Sequence, residues 1–346
     1  MMFRKTKLFT VVAAAIVVGF TILGQSPAPA QAQGMKDLTF SLDFIVLGRH
    51  SPWYVALAKG YYKDEGLNVK IIPGKGSASV ISNVESGIAE LGFVDVPSLT
   101  LARTNKSTIK MVAINYQKAP YSVFSLDPGA NVTKPKDLEG LTLASAPGSF
   151  VTNIIKAFMR SHGLDPSKLK IQGAAPSAQI PMLASGKAQA INFFIMTKPA
   201  ITRIAKRSGK QARSLLLADF GLKLYSNGIG AKESFIKNNP EVVRKFVRAS
   251  LKGWKDTFAN PAEAAKLQKQ YAKGLNEQIT IEEIAILKKL AVTTDTKKNG
   301  LGWFSGEKIK ASRDYMVTNA GLDASKAPKA TDLYDLRFLP KKPILP

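Results

Sequence analysis

Histidine occurs twice in this 346-residue sequence and cysteine not at all. His50 lies in LGRHSPWYVALAKGYYKDEGL (47–67), three residues before Trp53, and His162 lies in MRSHGLDP (159–166). Structural zinc draws on Cys and His together, and catalytic zinc on clustered His, so two isolated histidines without cysteine argue against both. His162 precedes Gly163 at the end of an apolar helical pattern, where a cation suits the C-terminal turn. His50 is left with three readings: a ligand contact, a polar residue satisfied within a turn, or a reactive group. Trp53 has two, stacking on a planar ligand or filling a core. There is no G-x-S-x-G elbow, and PGKGSAS (73–79) has the glycines of a phosphate-binding loop without its Lys-Ser pair in place, which argues against nucleotide hydrolysis. No cofactor is expected.

PGKGSAS suits a simpler task. Gly74 and Gly76, flanking Lys75, let the backbone approach a ligand closely, and Ser77 reads as the cap of a helix whose first amides stay unpaired and partly positive. APGSFVTN (146–153) offers a second such start, with Ser149 as cap and Phe150 after it. Most helix starts bind only water, but two that face each other across a gap would make a site for an anion or a polar headgroup.

Something must hold those starts together. After residue 38 the pattern alternates: TFSLDFIV (39–46) is strand-like, SPWYVALAKGYYKDEG (51–66) helical with its stop at Gly60 or Gly66, NVKIIP (68–73) a strand, SASVISNVESG (77–87) a helix and ELGFVDV (90–96) a strand. FVTNIIKAFMRSHG (150–163) is a helix with Ile154, Ile155, Phe158 and Met159 on one face. Such alternation implies mostly parallel sheets covered on both faces. Two stretches resemble copies, SASVISNVESGIAELGFVDV (77–96) and SAQIPMLASGKAQAINFFIM (177–196). Each opens on Ser-Ala and stops its helix at Ser-Gly, so two similar α/β lobes are expected. Ligands of open parallel sheets sit beyond the carboxyl ends of the strands. A cleft between two lobes would then be lined by Asp43 to Trp53, Gly74 to Ser77, Asp95 to Ser98, Pro147 to Thr152 and Phe193 to Met196, with Phe194 in the last. From about Tyr225 the chain becomes strongly helical; Asn239 caps a helix with Pro240 at its first position, and this tail is expected to pack back on the first lobe.

The chain is long enough for about two domains, at roughly 100 to 200 residues each. It opens with MMFRKTK, an apolar run from Leu8 to Gly24 and QSPAPAQAQ, the order of a secretory signal, with cleavage expected near Ala32. An exported chain without cysteine must be stabilised by burial alone, which fits a sizeable domain in a bacterial periplasm. The formal charge is +24, and +21 once Arg4, Lys5 and Lys7 leave with the signal. The basic residues recur singly along helix faces without interleaved aromatics, so solvated helix faces are expected and no nucleic-acid partner.

Four segments carry a family resemblance: LDFIVLGRHSPWYVALAKGYYKDEGLNVKI, PGKGSAS, ESGIAELGFVDVPSL and DLEGLTLASAPGS. With them the chain resembles the solute-binding proteins of ABC importers, in the branch that groups thiamin-pyrimidine-precursor, sulfonate, taurine and nitrate binders with the yeast-type pyrimidine synthases (NMT1/THI5-like and SsuA-like). The resemblance implies an α/β fold of the periplasmic binding protein type II: two lobes, a central cleft and two crossover hinge strands. It divides the chain into a signal (1–32), lobe 1 (37–118 plus 224–346) and lobe 2 (119–223). It places crossovers near Tyr116 to Ser122 and Phe220 to Ser226, and so Tyr116 and Tyr225 beside the cleft. Pyrimidine-precursor members have Asp or Asn after the first strand and His seven residues on, which Asp43 and His50 match. LGRH replaces the turn of those members, so Arg49 is open to pairing with a carboxylate or sulfonate. The synthases use that His chemically with a cysteine-rich loop, which a chain without cysteine lacks. The resemblance therefore implies no enzyme but a periplasmic monomer that captures a small planar or anionic organic molecule and delivers it to the membrane subunits of a permease. The rivals are a synthase-like enzyme and a basic surface-binding protein.

Overall fold

The structure, a computed structural model, describes residues 1–2, 34–147 and 149–346. The expected signal and its cleavage point lie outside the described residues. Strand and helix alternate through β1 (Lys36–Ser41), α1 (Ser51–Ala58), α2 (Tyr61–Asp64), β2 (Leu67–Ile72), α3 (Ser77–Glu85), β3 (Leu91–Asp95), α4 (Val96–Thr104) and β4 (Ile109–Ile114). A second series follows: β5 (Tyr121–Asp127), β6 (Thr142–Ser145), α5 (Phe150–Ser161), β7 (Lys170–Gly173), α6 (Pro176–Ala184), β8 (Ala190–Phe194), α7 (Lys198–Arg207) and β9 (Gln211–Leu216). The chain ends with β10 (Asn227–Lys232), α8 (Glu233–Asn238), α9 (Pro240–Ala259), α10 (Pro261–Tyr271), α11 (Glu277–Ala291), α12 (Thr294–Asn299) and α13 (Gly306–Ala320).

Two five-stranded sheets result, in the orders β2-β1-β3-β10-β4 and β7-β6-β8-β5-β9. In the first, β1 runs parallel to β2 and β3, while β10 runs antiparallel to β3 and β4. The second copies this pattern, with β6 parallel to β7 and β8, and β5 antiparallel to β8 and β9. The odd strand of each sheet is the one the chain lays down directly after crossing over. The crossings, 115–120 and 217–226, are tied to each other: the Asn115 and Tyr116 N–H groups donate to the Asn227 carbonyl oxygen at 2.9 Å, and the Ser226 N–H donates to that of Tyr116 at 3.1 Å. This is the periplasmic binding protein type II arrangement. The suspected copies occupy equivalent places, since α3 leads into β3 and α6 into β8, the middle strands of their sheets.

Local departures from the sequence pattern have physical reasons. β1 ends at Ser41 and not at residue 46, because the next backbone groups bond to the glycine-rich loop: the Gly76 N–H donates to the Asp43 carbonyl oxygen at 2.7 Å and the Gly74 N–H to that of Phe44 at 3.1 Å. The helical stretch over 51–66, whose stop the sequence leaves open between Gly60 and Gly66, breaks at Gly60, whose φ of +77° a helix interior does not allow, and resumes for one short turn as α2. Ser77 is the first residue of α3 and not its cap, which is Gly76. Its hydroxyl instead accepts from the Asp95 N–H at 3.2 Å, tying the start of α3 to the end of β3.

Burial follows the expected faces. Ile154, Ile155, Phe158 and Met159 of α5 are fully buried, as are Phe246, Val247 and Leu251 of α9. Gly253 lets α9 press on α1, since a Cβ there would stand 2.3 Å from the Pro52 carbonyl oxygen. The tail does not pack on the first sheet's side alone. Arg203 of α7 holds Glu282 of α11 through two hydrogen bonds of 2.7 and 3.0 Å, and Met316 of α13 joins the cluster formed by Ile154 and Phe158. The amphipathic pattern showed that these helices had a face to bury but not against which lobe. Among the described residues no helix is long and apolar enough to cross a membrane.

Candidate functional site

The ends of the two sheets enclose a cavity of about 370 Å³. From the first sheet's side its wall carries Asp43 and Arg49 after β1, then Lys75, Gly76 and Ser77 at the start of α3, then Asp95 and Ser98 where β3 meets α4. Ser149 and Phe150 at the start of α5 and Phe193 and Phe194 at the end of β8 face them from the other side. Gly74, Thr152 and Met196 are not part of the wall, and four further expected residues lie elsewhere. Trp53 is 0% exposed, its ring 4.7 Å from Phe40, 5.2 Å from Phe93 and 5.5 Å from Trp254, so of its two readings the core filler holds. Tyr116 stands behind Arg49, whose Nη1 donates to its hydroxyl at 3.4 Å. Tyr225 belongs to the cluster around Phe304 and Leu333, and His50 is buried behind Asp43.

His50 organises the wall without bordering it. The Leu47 N–H donates to its Nδ1 at 3.0 Å, so Nδ1 carries a lone pair and the proton sits on Nε2, which donates to Asp43 Oδ1 at 2.8 Å. Both ring nitrogens are committed, and none is left to act as a base on a ligand. Burial and the neighbouring Arg49 cation push its pKa down to about 4. Asp43 also accepts from Arg49 Nη1 on both oxygens, at 3.0 and 2.8 Å, and from Asn227 Nδ2 at 3.2 Å. Burial alone would raise the Asp43 carboxyl, but Arg49 and His50 outweigh it and hold the group below the usual range. Arg49 is thus charge-paired with Asp43 through Nη1, while its Nε is buried without a partner among the described residues. Its guanidinium lies 4.9 Å from the centroid of Phe194.

Glu283 of α11 supports the same loop from behind. Its Oε2 accepts the Arg49 N–H at 3.0 Å, and a Cβ at position 48 would come within 2.7 Å of that oxygen, so Gly48 makes room for it. Burial raises the Glu283 pKa to about 7 although Arg49 and two backbone N–H groups oppose the rise. Asp95 is raised as well, by burial, against its bonds with Ser77 and with the Ser98 N–H and hydroxyl, at 2.7 and 2.8 Å for the latter two.

The rest of the wall is largely aromatic. Phe44 meets Phe193 edge-on across the gap at 6.4 Å, and Tyr121 lies 5.6 Å from Phe194 and 6.4 Å from Phe150. Of the wall residues missed in the sequence, Gln179 and Asn192 both fall inside the second copy. Gln179 stands where the first copy has Ser79, which also borders the cavity, so the internal repeat was the signal that could have found it. Among the described residues of this wall the buried charges are the Asp43–Arg49 pair and Asp95, while Lys75 is exposed. The arrangement can enclose a flat ring and offer it polar edges.

A family model described as NMT1/THI5 like matches residues 48–264. The riboflavin-binding protein RibY of Chloroflexus aurantiacus is 30% identical over 319 residues, covering 87% of this chain and 87% of that protein. A formylaminopyrimidine-binding protein of Halalkalibacterium halodurans is 25% identical over 81% of this chain and 86% of its own. Among solved structures, the alkanesulfonate-binding protein SsuA of Xanthomonas axonopodis pv. citri, bound to MOPS, superposes with a TM-score of 0.68 at 15% identity, over 88% of this chain and 99% of that one. At that identity the likeness speaks for the fold.

Proposed function

This chain belongs to the NMT1/THI5-like family, and on that premise we propose that it is the solute-binding component of an ABC importer, exported to the periplasm and cleaved near Ala32. It captures a planar heteroaromatic molecule of the pyrimidine-to-flavin kind between a first lobe (37–118 with 224–346) and a second (119–223). It acts as a monomer, without covalent chemistry and without a nucleic-acid partner. The observation that carries this reading is the cavity wall, in which Phe44, Phe150, Phe193, Phe194 and Tyr121 surround a space whose one buried cation among the described residues, Arg49, is paired with Asp43. A buried anion would need a cation of its own to offset desolvation, whereas a flat ring needs aromatic area and a few polar contacts. The volume lies near the small end of the roughly 300 to 1,000 Å³ usual for ligand sites. The relatives named for riboflavin and for formylaminopyrimidine support the same class.

A ring that touches both lobes favours the shut form over the open one by the contacts it makes only there, and the paired crossings at 115–120 and 217–226 are the place to bend. The permease then reads the shut form. The test is a thermal-shift series with riboflavin, an aminopyrimidine, taurine and nitrate. The heteroaromatics are expected to raise the melting temperature, by about 2.7 kcal/mol of added stability at a hundredfold excess over Kd. A shift with taurine or nitrate alone would overturn the reading.

A further inference from the structure

Each crossing between the two sheets is fastened to one helix of the C-terminal tail. The last carbonyl oxygens of a helix have no partner within it. That of Leu290, near the end of α11, accepts the Gln117 N–H at 3.1 Å and the Lys118 N–H at 3.2 Å, both from the first crossing. The Ser312 hydroxyl, in the middle of α13, accepts the Tyr225 N–H of the second crossing at 3.1 Å and donates to the Lys308 carbonyl oxygen at 2.9 Å.

Both helices reach on to the half built on the second sheet. On α13, Ile309 joins the buried cluster of Val80, Val94 and Leu99 beside the first sheet, whereas Met316, two turns on along the same face, joins that of Leu143, Ile154 and Phe158 beside the second. One helix thus belongs to two cores. Arg160 of α5 adds a hydrogen bond from Nη1 to the Asn319 carbonyl oxygen at 2.6 Å. On α11 two successive carboxylates, about 100° apart around the helix, serve different halves. Glu283 accepts the Arg49 N–H on the first sheet's side, and Glu282 is held by Arg203 of α7 on the other. A stiff helix packed into two bodies at once must give up one set of contacts when those bodies turn apart.

We infer that α11 and α13 are straps that hold the two halves together around the cavity by the chain's own contacts, and that the halves part only when Arg203 leaves Glu282 and Met316 leaves the α5 cluster. This rests on the two-lobe reading proposed above and adds what restrains the bend, whatever the solute. The α11 strap is the lighter one: the Arg203 and Glu282 side chains are 34% and 40% exposed, and such a pair shifts a two-state ratio by no more than about fivefold. The α13 strap is buried and apolar and holds more firmly. Entry of a solute waits on the release of both.

A chain without cysteine can be labelled at two chosen points with no background. Ser86→Cys after α3 and Ser185→Cys after α6 are exposed and equivalent in the two copies, and spin labels there report the separation of the halves by double electron–electron resonance. The protein is freed of small molecules by denaturing dialysis and refolding, and melting of each variant checks its fold. The unaltered halves are expected to give one narrow separation. Arg203→Glu with Met316→Ala, which undoes both straps, should raise a second, longer separation at least about tenfold. Adding Glu282→Arg, which rebuilds the ion pair in reverse, should lower that component again by about two- to fivefold. If Met316→Ala does not fold, Arg203→Glu with and without Glu282→Arg carries the comparison. A single narrow separation in every variant, or a broad one in the unaltered protein that no variant changes, overturns the straps, and a longer component that Glu282→Arg leaves untouched removes α11 from them. No ligand enters this measurement, so its failure is distinct from that of the solute class, which the thermal-shift series reads.

Discussion

His50 is buried, neutral and held from two sides, and this makes a quantitative demand on stability. With a folded pKa of about 4 and an unfolded value of 6.5, the unfolded chain binds a proton that the folded one refuses throughout that interval. The contribution is therefore fully present above pH 6.5 and is lost as pH falls toward 4. Over the step from pH 7 to pH 5 the loss amounts to about 2 kcal/mol. His50→Gln keeps an N–H donor near Asp43 but removes the titrating group. Urea unfolding of both proteins at pH 7, 6 and 5 gives the comparison, and groups that titrate alike in both drop out of the difference. The unaltered protein is expected to lose about 2 kcal/mol more than the variant across those two units. Parallel curves would mean that His50 titrates as if exposed. A relative gain for the unaltered protein at pH 5 would mean an imidazolium paired with Asp43. Either result would break the assignment of the proton to Nε2 alone and the account of how Asp43 is held.

Glu283 works in the opposite sense. Its raised pKa of about 7 gives stability that is full below 4.5 and lost as pH climbs, so Glu283→Gln should gain about 2 to 3 kcal/mol relative to the unaltered protein between pH 5 and pH 8, read from the same unfolding curves. No relative change would show Glu283 already ionised at pH 5. Trp53→Ala should lose about 3 to 5 kcal/mol, because it empties a site packed against Phe40, Phe93 and Trp254. A variant that melts like the unaltered protein yet binds ligand poorly would return Trp53 to the cavity wall.

The fold was legible because hydrophobic period and glycine stops repeat so regularly, and the doubling of SASVISNVESG in SAQIPMLASG pointed to two equivalent sheets before any contact was known. The wall was legible where strand ends meet helix starts, since topology alone sends Lys75, Asp95, Phe150 and Phe193 to one place. The loop from 43 to 53 was harder. Its sequence puts Asp, Arg, His and Trp close together but does not say which way each points; that depends on Glu283, more than two hundred residues later, bonding the Arg49 amide. The pairing of Arg49 with Asp43 was not visible, because both were read as ligand contacts. Gln179 could have been found from its place opposite Ser79 in the repeat, whereas Asn192, a neutral amide in an apolar strand, carries no such signal.

The order in which strands enter the two sheets bears on how the molecule is made. All five strands of the second sheet come from one uninterrupted stretch, Tyr121 to Leu216, so that half can assemble as soon as it has been synthesised. The first sheet must wait for β10, and the loop carrying Asp43 and Arg49 waits longer still, for a carboxylate 234 positions downstream of Arg49. Distant pairings of this kind slow assembly and leave apolar strands uncovered in the meantime. A chain truncated before α11 would therefore have its second sheet complete but without Glu282 and Met316 packed against that half, and its first half without the buttress of the ligand-facing loop.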